Sequence, residues 1–221
     1  MTPDPYSVVI PAYAAAKFIG ETIASVLAQT VPPERIIVVD DGSPDDTAAV
    51  VEAMAGPIVC VRGVNTGPGG ATTRGISMVG TQFVATLDHD DLWIPNKAKL
   101  QLSRLRISPE LAGVFGRVAQ FTGDPGDADL GHSHEGWTRT TMFMRTEVAK
   151  GAGPMLDHPS RLGEFIDWLA RIREAGHLME MMPETLALRR IHPGSLSARS
   201  RRELANGYLH VAREALLRRR R

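Results

Sequence analysis

The sequence predicts an α/β protein in which helices flank a mostly parallel sheet. Two observations predict this fold class. Short apolar runs alternate with helical patterns along residues 7–91, which is typical of consecutive β-α units. The runs are apolar throughout, as expected for strands that are covered on both faces. Ligands of such sheets bind beyond the carboxyl ends of the strands, so a site is expected there.

The first half of the chain contains four predicted strands and three predicted helices. Prolines close the first strand and the first helix, because proline cannot continue either element. Acidic residues at the start of the second helix support that prediction, because the positive end of the helix dipole stabilises negative charge there. The glycine-rich stretch Asn65–Gly70 is predicted to be a loop before the third helix. The predicted elements are strand 7–10, helix 18–27, strand 36–39, helix 45–54, strand 58–61, helix 71–79 and strand 83–87.

The pattern after Pro95 is less regular. Apolar side chains at helical spacing predict a helix up to Ile107 and another over 162–175. The stretch 123–134 is rich in Gly, Asp and His, and is predicted to be a mobile loop. The apolar runs in this half predict strands over 112–121, 140–145 and 186–191.

Composition and charge argue against several classes of protein. The 25 basic and 25 acidic residues balance, so no overall positive field favours a nucleic acid partner. The single cysteine, Cys60, excludes a disulfide within the chain. No apolar stretch approaches the roughly 20 residues of a membrane helix, and the N-terminal residues lack the basic start of a signal peptide. We therefore expect a cytoplasmic protein of one domain.

The positive charge is concentrated at the end of the chain. Residues 199–221 hold eight arginines against two glutamates, so the remainder carries about six net negative charges. An apolar stripe in the same segment predicts an amphipathic helix. Three roles stay open for it: a contact with the sheet domain or with a second copy in a homodimer, peripheral binding to the inner face of an anionic membrane, and a solvated tail.

An acidic motif follows the fourth predicted strand. Asp88-His89-Asp90-Asp91 comes directly after strand 83–87. Three carboxylates within four residues repel one another, so a folded protein seldom gathers them without a counter-charge. Asp88 and Asp90 face the same way on an extended chain, and such a pair suits Mn²⁺ or Mg²⁺, which takes further ligands from water and substrate phosphates. The alternative is a solvated acidic turn that caps the next helix.

Three ordered motifs together resemble those of the family 2 glycosyltransferases. They are Val9-Ile10-Pro11-Ala12-Tyr13, Val38-Val39-Asp40-Asp41-Gly42-Ser43 and Leu87-Asp88-His89-Asp90-Asp91. Their spacing of about 30 and then about 47 residues also matches that family. The resemblance covers the first half of the chain strongly and the second half loosely. It implies the GT-A fold, a Rossmann-like and mostly parallel sheet flanked by helices.

The resemblance also implies an organisation and an activity. The whole chain, 1–221, would form one domain, with a nucleotide-sugar-binding half at 1–91, an acceptor-side half at 92–198 and the Arg-rich terminal helix at 199–221. The activity would be an inverting transfer of sugar, in a bacterial enzyme, from a nucleoside diphosphate sugar to a hydroxyl acceptor. UDP is the commonest donor nucleotide of the family, and Mn²⁺ or Mg²⁺ is the expected cofactor. The acceptor could be a glycan, a lipid-linked glycan, a peptide or a small molecule.

Residues of the donor site follow from the same resemblance. Pro11 and Tyr13 would line the nucleoside pocket, and Asp40 would accept hydrogen bonds from the base or ribose. Alternatives stay open, because Asp at such a place often caps a helix and Arg74 could be an ordinary surface charge. The glycine-rich loop that contains Gly67 lacks the spacing of a dinucleotide fingerprint, so NAD is discounted. The nucleotide-sugar candidates are Pro11, Tyr13, Asp40, Asp41, Gly67, Arg74, Asp88 and Arg190.

The metal candidates are Asp88, Asp90 and His192. By resemblance, Asp90 binds the cation most directly, while Asp88 contacts ribose or metal-bound water. His192 lies in Arg189-Arg190-Ile191-His192-Pro193-Gly194-Ser195, which resembles a late segment of many relatives, and Arg190 would clamp the diphosphate. A histidine at a strand end is otherwise more often structural.

The expected catalytic base is an acid near the start of the helix over 162–175. The family often supplies a Glu-Asp pair there, but Phe165 stands at the usual Asp position, so this chain departs from the pattern. Glu164 and Asp167 remain as candidates, with a slight preference for Glu164. Either could instead be a favourable charge at a helix N-terminus.

Two alternatives to a glycosyltransferase stay open at this point. A sugar nucleotidyltransferase also uses an α/β sheet and acidic metal ligands, but Pro11-Ala12-Tyr13-Ala14 is not the basic, glycine-rich triphosphate loop that it needs. A degenerate member of the family could bind a nucleotide sugar or a partner without turnover. Phe165 is the feature that supports this second alternative.

Overall fold

The computed structural model describes residues 4–155 and 163–195, so the terminal segment predicted to be helical lies outside the described residues. The described residues form the expected α/β fold, with six helices and nine strands. The helices are α1 (Ile19–Leu27), α2 (Thr47–Glu52), α3 (Gly67–Ser77), α4 (Lys97–Ile107), α5 (Thr146–Gly151) and α6 (Glu164–Glu174). The strands are β1 (Tyr6–Ala12), β2 (Arg35–Asp40), β3 (Ile58–Arg62), β4 (Phe83–Thr86), β5 (Leu92–Trp93), β6 (Leu111–Phe121), β7 (Ser133–Gly136), β8 (Phe143–Arg145) and β9 (Leu178–Arg190).

All nine described strands belong to one sheet. Its order is β3-β2-β1-β4-β8-β6-β9-β5, and β7 pairs with β6 beside this path. The first four strands are parallel to one another, as their apolar runs predict. β8 runs antiparallel between β4 and β6, while β9 is parallel to β6. The carboxyl ends of β1, β4, β6 and β9 therefore lie at the same edge of the sheet.

Two apolar layers cover the faces of the sheet, because residues of a strand point alternately to opposite faces. Val8 and Ile10 of β1 belong to the layer under α1 and α4, whereas Val9 belongs to the layer under α3 and α6. Gly75 lets α3 approach the sheet closely, since a Cβ at this position would lie 2.3 Å from Cγ1 of Val9. The first half of the fold is thus fixed by patterns that the sequence displays.

The structure differs from the sequence-based expectation at two elements. Gly67–Gly70 form the first turn of α3 rather than a loop, because side-chain oxygens of Asp41 accept hydrogen bonds at the start of that turn. The last strand begins at Leu178, well before the predicted 186. A register shift between Phe115 and Arg117 of β6 lets β9 pass its Pro183 without leaving the sheet.

Two further segments follow the expectation in part. Within the predicted loop 123–134 there is a short 3₁₀ turn, Pro125–Asp127, and the stretch ends in β7. The predicted strand 140–145 divides into a 3₁₀ turn over Arg139–Thr141 and β8. None of the helices in the described part of the chain is both long and apolar enough to cross a membrane.

Candidate functional site

A cleft of about 510 Å³ opens at the sheet edge where β1, β4 and β9 end. The sequence-predicted residues that line it come from three separate segments, and the 3₁₀ turn over Arg139–Thr141 closes one side. Its lining residues are Pro11, Tyr13, Ala14, Phe18, Pro68, Asp88, His89, Asp90, Asp91, Arg139, Arg189, Arg190, His192, Gly194 and Ser195.

Arg139 joins two carboxylates at one side of the cleft. Its Nε donates to Oδ1 of Asp88 at 2.8 Å, and its Nη1 donates to Oε1 of Glu164 at 3.0 Å. Burial opposes ionisation of Asp88, but the charge and hydrogen bond of Arg139 outweigh it and lower the pKa of Asp88. Burial likewise opposes the charge on Arg139, and the two carboxylates outweigh it and raise the pKa of Arg139. Asp88 is therefore a carboxylate with a counter-charge of its own.

Asp90 and His192 meet across the cleft. Nε2 of His192 lies 2.9 Å from Oδ2 of Asp90, so the two groups share a hydrogen bond. The imidazole also packs on the ring of Phe18, with 4.8 Å between ring centroids. In the described parts of the chain, no group of three or more His, Cys, Asp and Glu side chains is arranged to hold a metal ion. Asp88, Asp90 and His192 thus line one cleft without forming a ready three-ligand set.

Asp91 ties the acidic segment to the last strand. Its Oδ1 accepts a hydrogen bond from the backbone N–H of Arg190 at 3.0 Å, and Oδ2 lies 2.5 Å from the hydroxyl of Thr140. Burial, together with the charges of Asp90 and Asp88, raises the pKa of Asp91 well above the usual range. The third acid of the motif is therefore a structural group, as expected for a residue that anchors a turn.

The donor-clamp candidate Arg190 is held in place by the protein itself. Its guanidinium lies over the rings of Phe18 and Phe121, at 4.8 and 4.6 Å from their centroids. The same group donates to the carboxylate of Glu21 and to the carbonyl oxygens of Asp90 and Gly123. Arg190 borders the cleft, but these contacts use its side chain to join α1, the acidic segment and β9.

The nucleoside candidates lie at the ends of β1 and β2. Pro11 and Tyr13 line the cleft, and the ring of Tyr13 is 45% exposed, so it offers an open aromatic face. Asp40 is buried beside Ala12 and is not among the residues that line the cleft. Its Oδ1 accepts a hydrogen bond from the N–H of Ser43 at 2.9 Å. Within the described residues, no hydrogen bond uses Oδ2 of Asp40.

Asp41 and Gly67 have a structural role that the sequence-based assignment did not give them. The carboxylate of Asp41 accepts hydrogen bonds from the backbone N–H groups of Thr66 and Gly67, both at 2.8 Å, and from the Thr66 hydroxyl. These donors are the free N–H groups at the start of α3, which need such a partner. Asp41 and Gly67 therefore bind each other instead of lining the cleft.

Arg74 also lies away from the cleft. Its guanidinium packs against Gly63 after β3, where a Cβ would come within 2.3 Å of Nη1. The side chain is exposed and is not among the cleft-lining residues. This placement agrees with the alternative of a surface charge on α3.

The two base candidates on α6 have different surroundings. Glu164 is 5% exposed, pairs with Arg139 and packs on Gly69 of α3. Asp167 instead pairs with Arg171, one turn further along α6, at 3.2 Å. Phe165 packs among Phe115 and Trp168, so this position faces the apolar core. Neither acid is among the residues that line the cleft, and Glu164 is connected to the cleft only by its ion pair with Arg139.

Sequence reasoning missed Arg139 and Arg189. Both line the cleft, and Arg139 makes ion pairs with Asp88, which lines the cleft, and with Glu164, which does not. A signal for Arg139 existed, because three clustered acids require a counter-charge. Nothing in the sequence shows which of the many arginines supplies it, since Arg139 lies 51 residues from Asp88.

Comparison with known proteins gives a family match and individual relatives. A sequence model of glycosyl transferase family 2 matches residues 7–165. An uncharacterized glycosyltransferase of Rickettsia typhi is 38% identical over 99 residues, which is 45% of this chain and 31% of the relative. Succinoglycan biosynthesis protein ExoW of Rhizobium meliloti is 38% identical over 97 residues, which is 41% of this chain and 30% of the relative. The similar region is thus about a third of the length of these relatives.

Solved structures share the fold. The S. aureus TarS 1-349 structure in complex with UDP-GlcNAc has a TM-score of 0.73 and covers 95% of this chain and 66% of that one. The complex of TarS 1-349 with UDP has a TM-score of 0.69 and covers 86% and 61%. Sequence identity is 19% in both comparisons. This likeness confirms the GT-A fold that the motifs implied.

Proposed function

The chain belongs to glycosyl transferase family 2, whose sequence model matches residues 7–165, and we infer from this membership that the protein transfers a sugar. The protein is accordingly a glycosyltransferase by family. The match favours sugar transfer over the nucleotidyltransferase alternative, because it includes the regions that carry all three ordered motifs.

We propose that the donor is a nucleoside diphosphate sugar, with a UDP-sugar as the first candidate, and that the acceptor is a hydroxyl group. The observation that carries this proposal is the convergence of Tyr13, Asp90 and His192 on one cleft at the sheet edge. An exposed aromatic ring suits a nucleobase, and the Asp–His pair suits a cation with a diphosphate. The TarS structures are complexes with UDP and with UDP-GlcNAc, which supports the same class of ligand.

Recognition of the nucleoside is proposed for the part of the cleft at the end of β1; Asp40, at the end of the neighbouring β2, is buried beside it and does not line the cleft in this structure. Pro11 and Tyr13 would contact the base. Asp40 would accept a hydrogen bond from the base or ribose through Oδ2, since Oδ1 is already used by Ser43. A buried acceptor of this kind discriminates strongly against ligands that lack the matching donor.

The donor atoms of the cleft fit a divalent cation, Mn²⁺ or Mg²⁺. The carboxylate of Asp90 and the imidazole of His192 converge, and both are ligand types that Mn²⁺ accepts. Asp88 adds a second carboxylate, which Arg139 already pairs. Two protein ligands are sufficient where the substrate phosphates and water complete the coordination. The cation would stabilise the charge that develops on the leaving diphosphate.

We propose Glu164 as the base that takes the proton from the acceptor hydroxyl, so that transfer occurs with inversion. Arg139 holds Oε1 of Glu164, which fixes the direction of the carboxylate. The buried, apolar position of Phe165 supports this choice, because an acid at 165 would have to enter the core. The contacts of Asp167 with Arg171 make it the weaker candidate.

The test of this function is a thermal unfolding series with UDP, GDP and TDP, each with and without Mn²⁺. A ligand that binds only the folded state raises the melting temperature. We expect one diphosphate to give a metal-dependent rise in the wild type, and we expect Asp90→Asn to abolish the metal-dependent part. Asp46→Asn is the matched control, because Asp46 is an exposed acid outside the cleft.

Two results would contradict the proposal. The absence of a rise with every diphosphate would remove the donor site and favour a non-catalytic member of the family. An equal rise in the wild type and in Asp90→Asn would remove Asp90 from metal binding while leaving nucleotide binding intact.

A further inference from the structure

Two consecutive arginines, Arg189 and Arg190, end the last strand of the sheet, and they have opposite surroundings. Successive side chains of a strand point to opposite faces. Arg190 is 8% exposed; each of its three guanidinium nitrogens donates a hydrogen bond, to Glu21 or to one of two carbonyl oxygens, and the group lies over two aromatic rings. Arg189 also lines the cleft, but within the described residues its guanidinium makes no hydrogen bond and no ion pair.

The position of Arg189 in the cleft is fixed by its backbone. Arg189 pairs with Gln120 of β6, one residue before the end of both strands. Arg189 lines the cleft together with Asp88 and Asp90, so its charge lies in the same cleft as these two acids.

The other arginines of the cleft are already neutralised. Arg139 pairs with both Asp88 and Glu164, and Arg190 pairs with Glu21. A diphosphate that enters beside Asp90 brings further negative charge into a cleft lined by three acids. The Arg189 guanidinium has no hydrogen bond to residues 4–155 or 163–195, and such a group suits this ligand because it can donate two parallel hydrogen bonds to phosphate oxygens.

We propose that Arg189 binds the diphosphate of the nucleotide donor, and that Arg190 is a structural clamp that holds the edge of the cleft. This inference rests on the proposed function, because it takes the ligand to be a nucleoside diphosphate. It reverses the sequence-based assignment, in which Arg190 was the diphosphate clamp.

The experiment compares binding of UDP and uridine to the wild type and to Arg189→Gln by calorimetry, in Mn²⁺ at low salt. If UDP is not the nucleotide that binds, the corresponding diphosphate and nucleoside pair of GDP or TDP replaces it. A charge-assisted hydrogen bond contributes enough to binding that its loss weakens affinity roughly tenfold or more. We expect Arg189→Gln to weaken UDP binding by about that factor and to leave uridine binding unchanged.

Two further variants serve as controls. Arg117→Gln removes an arginine from β6 that lies outside the cleft and contacts Ser133, and we expect no change in UDP affinity. Arg190→Gln should lower the melting temperature of the ligand-free protein, whereas Arg189→Gln should leave it near that of the wild type.

The outcomes separate this inference from the function on which it rests. Equal UDP affinity in the wild type and in Arg189→Gln would overturn the role of Arg189 and leave the donor site intact. An equal loss of UDP and uridine affinity would also overturn it, because the contact would then be with the nucleoside. If the wild type bound none of the three diphosphates, both the inference and the proposed donor class would fall.

Discussion

Arg139 is the residue on which the electrostatics of the site depend. It is the counter-charge for Asp88 and Glu164, and its side chain is only 11% exposed. The Glu164 side chain is 4% exposed and that of Asp88 is 29% exposed. Removing Arg139 would leave one buried and one partly buried carboxylate without a counter-charge, which is costly because the protein interior solvates charge poorly.

We expect Arg139→Met to be strongly destabilising. Breaking a buried ion pair typically costs about 3–5 kcal/mol in the free energy of unfolding, and here two pairs are lost at once. Urea unfolding of the purified variant at neutral pH measures the effect. Arg62→Met is the matched control, since Arg62 forms an exposed pair with Glu52 and should change stability by less than about 1 kcal/mol. Similar stabilities for the two variants would show that Arg139 is not the essential counter-charge.

Sequence reasoning was most informative where the position of a residue after a buried strand predicts its place in the fold. The acids of the Asp88–Asp91 motif were placed at the cleft because they follow an apolar strand, and they line it in the structure. Asp41 and Arg190 show the limit of that reasoning. Each belongs to a motif, but its partners come from segments distant in sequence, Thr66 and Gly67 for Asp41 and Glu21 for Arg190. No local pattern reveals such partners.

At the scale of elements, the orientation of α6 gives its two acids different surroundings. Phe165 and Trp168 on one face of the helix pack in the core. Their packing fixes the orientation of the helix about its axis, and this orientation sets the directions of Glu164 and Asp167. Because the two acids are three residues apart, the sequence predicts that they lie on adjoining parts of one helix face. In the structure they have different ion-pair partners, Arg139 for Glu164 and Arg171 for Asp167.

This separation predicts different kinetics for two amide variants. Glu164→Gln should lower kcat by about 10²–10⁴-fold, the usual contribution of a general base, whereas Asp167→Asn should stay within a few-fold of the wild type. The measurement is release of nucleoside diphosphate from the donor identified by thermal unfolding. The melting temperature and donor affinity of each variant show whether a loss of rate comes from misfolding. Equal rates for Glu164→Gln and the wild type would remove Glu164 from the mechanism.

The elements themselves were predicted well in the first half and less well in the second. Strands β1, β2 and β4 are buried on both faces and appear as uninterrupted apolar runs. β3 is also an apolar run, but it lies at the edge of the sheet and is only partly buried, so its burial on both faces was wrongly predicted. The last strand, β9, carries Glu180, Pro183 and Glu184 among its apolar residues, so its first part gives no such signal. Its pairing with β6 depends on a register shift, which is a property of two segments together.

At the scale of the whole molecule, Lys97 joins helix α4 to the sheet from inside the core. The side chain is fully buried, and its Nζ donates to Oε1 of Gln101 at 2.6 Å and lies 3.9 Å from the centroid of the Trp93 ring. Gln101 in turn donates to the carbonyl oxygen of Thr141, and Nε1 of Trp93 donates to that of Thr140. This polar network anchors the turn that presents Arg139 to the cleft.

The burial of Lys97 predicts a pH dependence of global stability. Burial lowers the pKa of Lys97 well below its usual value, which is about 10.4 in an unfolded chain. Between the lowered pKa and about 10.4, the unfolded chain binds a proton that the folded protein does not. The free energy of unfolding therefore rises with pH in that window through this group.

Lys97→Met tests this dependence because it removes the titrating group and keeps the length of the side chain. We expect the stability of the wild type relative to Lys97→Met to improve as the pH is raised from 6 to 9.5. Urea unfolding at several pH values gives the two curves. Lys99→Met is the control, since Lys99 is an exposed residue of the same helix. Parallel curves for the wild type and Lys97→Met would mean that Lys97 keeps its proton in the fold.

The strand order also has a consequence for how the chain is made. β8, which covers the open side of β4, is encoded much later than β4, after the whole of β5, α4, β6 and β7. On the ribosome, the apolar edge of β4 therefore stays without its neighbour until residue 145 has emerged. Unpaired strand edges of this kind recruit other chains. The time for which this edge is unpaired on the ribosome therefore grows with the time needed to make residues 86–145, whereas a purely sequential β-α order would pair the edge sooner.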